Sequence, residues 1–210
     1  MFGLRFFDEF AIIYAMKQEM LVADKEELLK VYDENHRFFG KYERRSRVHD
    51  NQLYHDETIL WVLNPYTKQV LVQKRSPNKR FMPNKYGLCA GHVVKGETVH
   101  DTLRKEAMEE LGIDIDKYEV KHVVTVKKIV PQNYHFDHHY CVLAEIPVSE
   151  FKIQKEELSE VKYINYEDFK YLVRTNDDSV AVNWTYAEKQ AFDRIDKIIY
   201  NKKYQRNESN

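Results

Sequence analysis

Several features that would indicate a specialised class of protein are missing from this 210-residue chain. No apolar run approaches the ~20 residues that a helix needs to cross a bilayer. Residues 1–15 are rich in aromatic side chains, but they include Asp8 and Glu9 and lack the small-residue cleavage site of a signal peptide. The net charge of −1 provides no electrostatic footprint for duplex nucleic acid or an anionic membrane. We therefore expect neither as a partner.

Cysteine is also scarce. Cys89 and Cys141 are too few for a disulfide framework and have no metal-type spacing, so a reducing cytoplasm is the expected compartment. The apolar fraction of 43% and the charged fraction of 32% are those of an ordinary globular domain. The length is sufficient for one well-buried domain with additions and is short for two.

The chain contains no internal repeat and no low-complexity linker, which favours a single domain. We expect this domain over residues 26–200, with an N-terminal extension over 1–25 and a polar tail over 201–210. Met16 precedes the polar sequence Lys-Gln-Glu, as at an ordinary protein start. The extension is thus either an over-extended start or a docking helix.

Hydrophobic periodicity predicts an α/β fold. An N-terminal hairpin is expected with its turn at Asp33 to Asn35, before a continuously apolar central strand. Predicted strands cover 58–63, 69–75, 119–130, 139–146 and 161–164, and helices are predicted in the segment 97–112 and over 166–174 and 184–200. Strands on both sides of one helix, with further helices at the end, indicate a mixed sheet flanked by helices.

Residues 91–113 carry the strongest chemical pattern. Glu106, Glu109 and Glu110 fall within an arc of about 100° on the predicted helix, and an apolar arc lies beside them. Clustered like charges repel unless a cation lies between them, and hard oxygen ligands suit Mg²⁺ or Mn²⁺. A solvated acidic face is the ordinary alternative. Gly112 is suited to end the helix in a left-handed conformation.

The spacing within this stretch resembles the Nudix box, in which Gly, five residues, Glu and seven residues precede Arg-Glu-aliphatic-x-Glu-Glu-x-Gly-aliphatic. The one departure is Lys105, which stands where the family has arginine. The resemblance implies an α/β/α sandwich and hydrolysis of a diphosphate linked to another group. The matching residues are Gly91, Glu97, Glu106, Ala107, Glu109, Glu110, Gly112 and Ile113.

The same resemblance implies roles for individual residues. Glu106, Glu109 and Glu110 would hold the metal, with the backbone carbonyl of Gly91 joining them. Glu97 would pair with Lys105 and orient Glu106. The general base would be Glu106 or a glutamate outside the box.

Outside the box, Glu157 and Glu160 are the candidates for that base, with a solvated loop as the alternative. Arg75 and Lys79, at the end of a strand and in the polar loop that follows, are candidates for binding the anionic substrate; Arg80 lies beside them. Solvated surface cations are the alternative interpretation.

A wider resemblance connects the chain to the branch of Nudix proteins related to isopentenyl diphosphate isomerase. In that isomerase, two upstream histidines and the histidine after the glycine bind a metal with two later acidic residues. His49, His55 and His92 match the histidines, and the later pair falls near Asp137 and His139. The resemblance thus implies a second metal site, with unrelated histidines as the alternative.

Isomerase and hydrolase differ at the residue directly before the Gly-His pair. The isomerase has a proton-transferring cysteine there, whereas this chain has Ala90, with Cys89 expected on the opposite side of the strand. The intact acidic helix favours a hydrolase that acts on a nucleoside diphosphate derivative or a similar small molecule. An isomerase-like enzyme and a non-catalytic Nudix-like binding module are the alternatives, and a homodimer is compatible with the sequence.

Overall fold

The computed structural model describes residues 27–79, 81–131 and 133–201. The expected N-terminal extension, Arg80 and nearly all of the polar tail lie outside these ranges. The first elements are strands β1 (Leu28–Tyr32) and β2 (Phe38–Arg44) and helix α1 (Arg45–Asp50). They are followed by β3 (His55–Asn64), β4 (Gln69–Arg75), β5 (Tyr86–Gly87), β6 (Cys89–His92), α2 (Val99–Leu111), β7 (Val120–Val130), β8 (Asn133–Leu143), β9 (Leu158–Asn165), α3 (Tyr166–Arg174) and α4 (Tyr186–Ile199).

Strands β1 and β2 form an antiparallel two-stranded sheet of their own, which confirms the predicted N-terminal hairpin. Its turn depends on Asp33, whose Oδ1 accepts hydrogen bonds from the backbone N–H groups of Asn35 and Arg37 at 2.9 and 2.8 Å. Leu29 packs with Val48 of α1 in a small buried cluster. The hairpin thereby fixes α1 next to the main sheet.

The main sheet has seven strands, of which five follow the order β5-β4-β3-β8-β7, while β6 pairs with β3 and β9 with β4. Strands β3 and β8 run parallel, and the other pairs are antiparallel. The sheet is therefore mixed, as predicted.

Each face of the sheet has its own apolar core. On one face, Leu60 and Leu71 pack against Leu103 and Ala107 of α2. On the other, Trp61 packs with residues of α3 and α4, including Phe169 and Phe192. Helices thus cover both faces, as periodicity predicts, and the result is the α/β/α sandwich that the resemblance implies.

Helix α2 has well-defined ends. Thr98 caps the N-terminus, and its side chain and that of Asp101 exchange hydrogen bonds with each other's backbone N–H groups in a capping box. Gly112 ends the helix with φ of 67°, where a side chain would be strained. These ends fix the rotation of the helix and hence the direction of its acidic face.

Three strand starts differ from the sequence-based prediction by three residues or more. Strand β3 begins at His55 and not at Thr58. Strand β8 begins at Asn133 and not at His139, and β9 begins at Leu158 and not at Val161. In β8 three of the extra residues, His135, Asp137 and His138, are polar but buried, so the hydrophobic pattern does not indicate a strand there. None of the helices in the described ranges has both the length and the apolar character required to cross a membrane.

Candidate active site

The acidic ridge is formed by Glu106, Glu109 and Glu110 of α2; Glu106 and Glu110 lie against strand β6, and Glu109 is exposed. A Cβ atom on Gly91 would lie 2.5 Å from Glu106 Oε1, so the glutamate occupies the space that any other side chain would fill. The Gly91 carbonyl accepts a hydrogen bond from Thr58 Oγ1 at 3.4 Å. Glycine at this position therefore permits the closest approach of a carboxylate to the strand.

Lys105 and Glu97 interact as the resemblance implied that they would. Lys105 Nζ lies 3.0 and 3.2 Å from the two oxygens of Glu97 and 3.6 Å from Glu106 Oε1. Thr102 Oγ1 donates to Glu97 Oε2 at 2.6 Å. Lysine thus bridges Glu97 and Glu106 as a point charge, without the planar fork of arginine.

Glu110 is the most buried member of the ridge, with 9% of its surface exposed. Gln73 Nε2 donates to its Oε2 at 2.7 Å. Burial raises the pKa of Glu110, while hydrogen bonds from Gln73 and from the Cys89 thiol oppose the rise. A buried carboxylate with these partners is held in one orientation.

Glu106 is strongly affected by its surroundings as well. Burial raises its pKa to about 7, with further increases from the carboxylates of Glu110 and Glu109 and an opposing effect of Lys105. One lysine therefore does not neutralise the ridge. A divalent cation with a preference for oxygen ligands fits this excess of partly buried negative charge.

The two glutamates outside the box occupy different positions. Glu157 forms an ion pair with Lys79, and its carboxylate lies near enough to Glu110 to raise the pKa of that residue, after the larger effect of burial. Glu160 accepts a hydrogen bond from Tyr86 Oη at 2.9 Å, and it pairs in register with Lys74. Because side chains alternate along a strand, Glu160 lies on the face of the sheet away from α2.

The other candidate anion binder has a structural contact. Arg75 Nε donates to the carbonyl oxygen of Phe81 at 3.1 Å, within the loop that follows β4. The Ser76 N–H donates to the carbonyl oxygen of Glu157 at 2.8 Å, which ties this loop to the segment before β9. Lys79 and Glu157 are thus presented together beside the ridge.

A histidine cluster lies on the opposite face of β6. The rings of His49, His55 and His92 have centroids 5.1 to 5.3 Å apart. Each offers one nitrogen within 4.8 Å of the others. The structure therefore brings together the three histidines that the sequence grouped.

The register of β3 and β8 adds a second group to this cluster. His55 is opposite His135, and Glu57 is opposite Asp137, so all four point to one face. His135 Nδ1 lies 2.9 Å from Glu57 Oε2 and also contacts Asp137. The ring of His135 stacks at 5.8 Å on that of His55. Two adjoining groups of possible ligands, one of three histidines and one that includes two carboxylates, thus lie on the same face of the sheet.

The protonation of His55 and His92 suits a metal ion. His135 differs from them: burial lowers its pKa, but the carboxylates of Asp137 and Glu57 outweigh burial and raise it to about 10, so this ring is protonated. Burial lowers the pKa of His55 to about 4 and that of His92 well below its ordinary value, so both rings are neutral. Nε2 of each ring is buried and has no hydrogen-bond partner within the described parts of the chain. Neutral, unpartnered imidazole nitrogens are the form in which histidine binds transition metals.

Two side chains singled out in the sequence have contacts that the sequence did not indicate. His139, expected in the later pair, has its Nε2 4.0 Å from Asp137 Oδ2, and its Nδ1 accepts a hydrogen bond from Trp61 Nε1 at 3.0 Å. His135 is a further neighbour of Asp137, at its other oxygen. Cys89 does face away from the side of Ala90, but this places its thiol under α2 and against Glu110.

Sequence reasoning missed Glu57, His135 and the contact from Gln73. Glu57 lies two residues after His55, and His135 lies two residues before Asp137. This is the spacing of side chains on one face of a strand. This spacing points to one strand face only if residues 135 and 137 belong to a strand, and the sequence analysis did not predict that β8 begins at Asn133. No local pattern identifies the partner of Gln73, because Glu110 is 37 residues away.

Comparison with known protein families gives one consistent result. The NUDIX domain family matches residues 53–184, which is more than half of the chain. The match begins after β1, β2 and α1, so the hairpin and His49 precede it.

Curated relatives carry Nudix names. The chain is 32% identical over 147 residues to Nudix hydrolase 3 from Arabidopsis thaliana, which covers 66% of this chain but only 19% of that protein. It is 29% identical over 141 residues to an uncharacterized Nudix hydrolase from Clostridium acetobutylicum, covering 64% and 68% of the two chains. A shorter match, 31% identical over 71 residues, covers 34% of this chain and 41% of a prenyl-diphosphate phosphatase from Methanosarcina mazei.

Solved structures share the fold. The crystal structure of DR0079 from Deinococcus radiodurans superposes with a TM-score of 0.60 at 20% identity, covering 78% of this chain and 97% of that one. A MutT protein from Methanosarcina mazei superposes with a TM-score of 0.52 at 18% identity, covering 69% and 94%.

The raised pKa of Glu106 predicts that the free energy of unfolding of the metal-free protein depends on pH. A carboxyl group whose pKa is 4.5 in the unfolded chain and about 7 in the folded protein binds its proton more tightly in the folded state. It therefore stabilises the fold fully below pH 4.5, and this stabilisation is lost as the pH rises through 7. In EDTA, the free energy of unfolding of the wild type should therefore fall between pH 5 and pH 8 by up to about 3 kcal/mol more than that of Glu106→Gln.

Chemical denaturation at the two pH values measures this difference. The Glu119→Gln variant, altered at an exposed glutamate before β7, serves as the control and should follow the wild type. An equal fall in the wild type and Glu106→Gln would contradict the assignment of a raised pKa to Glu106.

Proposed function

Because this chain belongs to the NUDIX family, we propose that it is a divalent-metal-dependent hydrolase that cleaves a diphosphate linkage in a small molecule. The chain spans 19% of the Arabidopsis relative and 68% of the Clostridium relative, so the activity is argued from the site itself. The observation that carries the proposal is the packing of Glu106 onto Gly91 within the partly buried acidic ridge.

The ridge supports binding of Mg²⁺ or Mn²⁺ by Glu106, Glu109 and Glu110, with the Gly91 carbonyl beside them. A bound ion of this kind neutralises charge on diphosphate oxygens and makes the phosphorus easier to attack. Lys105 and Glu97 orient Glu106 through the contacts described above. Arg75 and Lys79 supply positive charge for the substrate at the adjacent loop.

Glu157 is the residue that we propose as the general base. It takes a proton from the attacking water, whose oxygen forms a bond to phosphorus while the anhydride P–O bond breaks and a phosphate group leaves. Lys79 pairs with Glu157 in the structure. A substrate phosphate that attracts Lys79 would release the carboxylate for this role, whereas Glu160 lies on the other face of the sheet.

The histidine cluster supports a second metal site, formed by His49, His55 and His92 with Glu57 and Asp137. Its buried, unpartnered Nε2 atoms and mixed nitrogen and oxygen ligands favour a transition metal such as Zn²⁺ over Mg²⁺. The two sites lie on opposite faces of β6, because Gly91 and His92 are consecutive.

The relatives and the site support candidate substrate classes for the proposal. A prenyl-diphosphate phosphatase among the relatives makes prenyl diphosphates candidates beside nucleoside diphosphate derivatives. Cys89 and Cys141 are free and buried, which supports the reducing cytoplasm expected from the sequence.

Isomerisation of an alkene is the second candidate, favoured by the histidine cluster. It requires an acid and a base that move protons on carbon. Ala90 has no proton to transfer, and the Cys89 thiol is buried against Glu110, with its pKa raised by burial and by the carboxylates of Glu110 and Glu106. Hydrolysis is therefore the better supported reaction.

The general base is tested by a matched pair of variants. Glu157→Gln should lower turnover by orders of magnitude, because the amide cannot accept the proton, while Glu160→Gln should retain the activity of the wild type. Steady-state kinetics at saturating Mn²⁺ measures both. Equal effects of the two substitutions would contradict the assignment.

The reaction is tested by product analysis in a screen of nucleoside diphosphate derivatives, dinucleoside polyphosphates, capped RNA and isopentenyl diphosphate. We expect phosphate or monophosphate release from a diphosphate substrate, no dimethylallyl diphosphate, and loss of the activity in Glu110→Gln. Isomerised product from the wild type, absent in Cys89→Ala, would reverse the choice between the two reactions.

The histidine site is tested by Zn²⁺ uptake in the presence of excess Mg²⁺, measured on the full chain by titration calorimetry. His49→Ala should abolish high-affinity Zn²⁺ binding, whereas Glu110→Gln should retain it, because the two residues belong to different sites. Unchanged Zn²⁺ affinity in His49→Ala would show that the histidines do not hold the ion.

A further inference from the structure

Gln73 is a buried amide in direct contact with the acidic ridge. It comes from β4, where its Cα pairs with Gly87 on one side and Val161 on the other, so its backbone is held by two neighbouring strands. Its surface is 3% exposed. The amide nitrogen donates to Glu110 Oε2 at 2.7 Å and to the Leu88 carbonyl oxygen at 3.3 Å.

The orientation of this amide is determined by its surroundings. Rotating the amide by 180° would direct its oxygen at the Glu110 carboxylate and the Leu88 carbonyl, both of which are acceptors. With the nitrogen placed as observed, Oε1 is buried and has no hydrogen-bond partner within the described residues. An unpaired buried carbonyl is unfavourable, so packing alone would favour an apolar residue at this position.

We propose that Gln73 is a positioning residue, which fixes the orientation of the Glu110 carboxylate as a metal ligand without touching metal or substrate itself. This inference rests on the function proposed above. A glutamate side chain on a helix has three rotatable bonds, and ordering it when an ion binds costs conformational entropy. A carboxylate that is already held by an amide on a rigid strand loses less freedom when it becomes a ligand.

The other contact to Glu110 does not replace this role. The Cys89 thiol also interacts with Glu110, but a thiol is a weak hydrogen-bond donor. The amide of Gln73 is the strong donor to Glu110, and it is fixed at a second point by Leu88. The direction of the Glu110 carboxylate is therefore determined mainly by the Gln73 amide.

A purely structural role of Gln73 predicts a different result from a positioning role. If the amide only compensates the burial of Glu110, its loss lowers stability and leaves the metal affinity of the folded protein unchanged. If it positions a ligand, its loss weakens metal binding, and high metal concentration restores turnover.

The test is a Mn²⁺ titration of the full-length chain, followed by the electron paramagnetic resonance signal of free Mn²⁺. The Mn²⁺ ions that the wild type binds and Glu110→Gln does not bind are assigned to the ridge. Gln73→Met keeps the side-chain length but removes both N–H groups, and it should weaken this binding about tenfold to a hundredfold. Activity lost at low Mn²⁺ should return as the Mn²⁺ concentration is raised.

Gln73→Asn provides a second variant that retains the amide but withdraws it by one methylene, and it should weaken binding in the same direction. Its result decides the question if Gln73→Met does not fold. Gln69→Met, at the start of the same strand, is the matched control and should bind Mn²⁺ as the wild type does.

Two outcomes would overturn the inference. Unchanged Mn²⁺ affinity at the ridge in the folded Gln73 variants would show that the amide is only structural, and the proposed function would stand. Wild-type protein that binds Mn²⁺ no more tightly than Glu110→Gln would overturn both the inference and the proposed function.

Discussion

The contact between Glu106 and Gly91 is the constraint on which the site depends. A carboxylate can lie directly on a β-strand only where the strand has no side chain, and only if the helix that carries it has a fixed rotation and depth. The capping box at Thr98, the left-handed end at Gly112 and the packing of Leu103 supply these conditions. The core packing and the candidate chemistry are therefore two results of the same helix placement.

Electrostatics extends this constraint to the residues around the ridge. The partly buried carboxylates repel each other and lose hydration, as the pKa of about 7 for Glu106 shows. Each neighbour offsets part of that cost: Lys105 by its charge, Gln73 by a hydrogen bond and Lys79 through its pairing with Glu157. The remaining negative charge is what makes the ridge suitable for a divalent cation.

Local patterns were sufficient to predict the helix, its C-terminal end at Gly112 and the acidic ridge. Each depends on residues within 23 positions of one another, and the spacing from Gly91 to Ile113 contains the information. The sheet class and both helical layers could also be predicted, because hydrophobic periodicity reports which side of an element is buried. The confirmed hairpin belongs to the same class of local signal, since Asp33 forms its turn.

The parts that could not be predicted depend on pairing between distant segments. Glu57 and His135 join the histidine cluster only through the register of β3 with β8, and a polar strand start conceals this register. The Gln73–Glu110 contact joins a strand to a helix 37 residues later. Buried polar residues are the general difficulty, because in a sequence they have the same appearance as residues of a solvated loop.

The position of α1 bears on where the functional unit begins. The family match starts at residue 53, whereas His49 lies in α1 and is brought to the cluster by a hairpin that starts at Leu28. A fragment cut at the family boundary would keep every strand of the seven-stranded sheet and lose one member of the histidine group. For this chain, the stretch that the family matches and the stretch that contains the whole cluster are therefore different lengths of polypeptide.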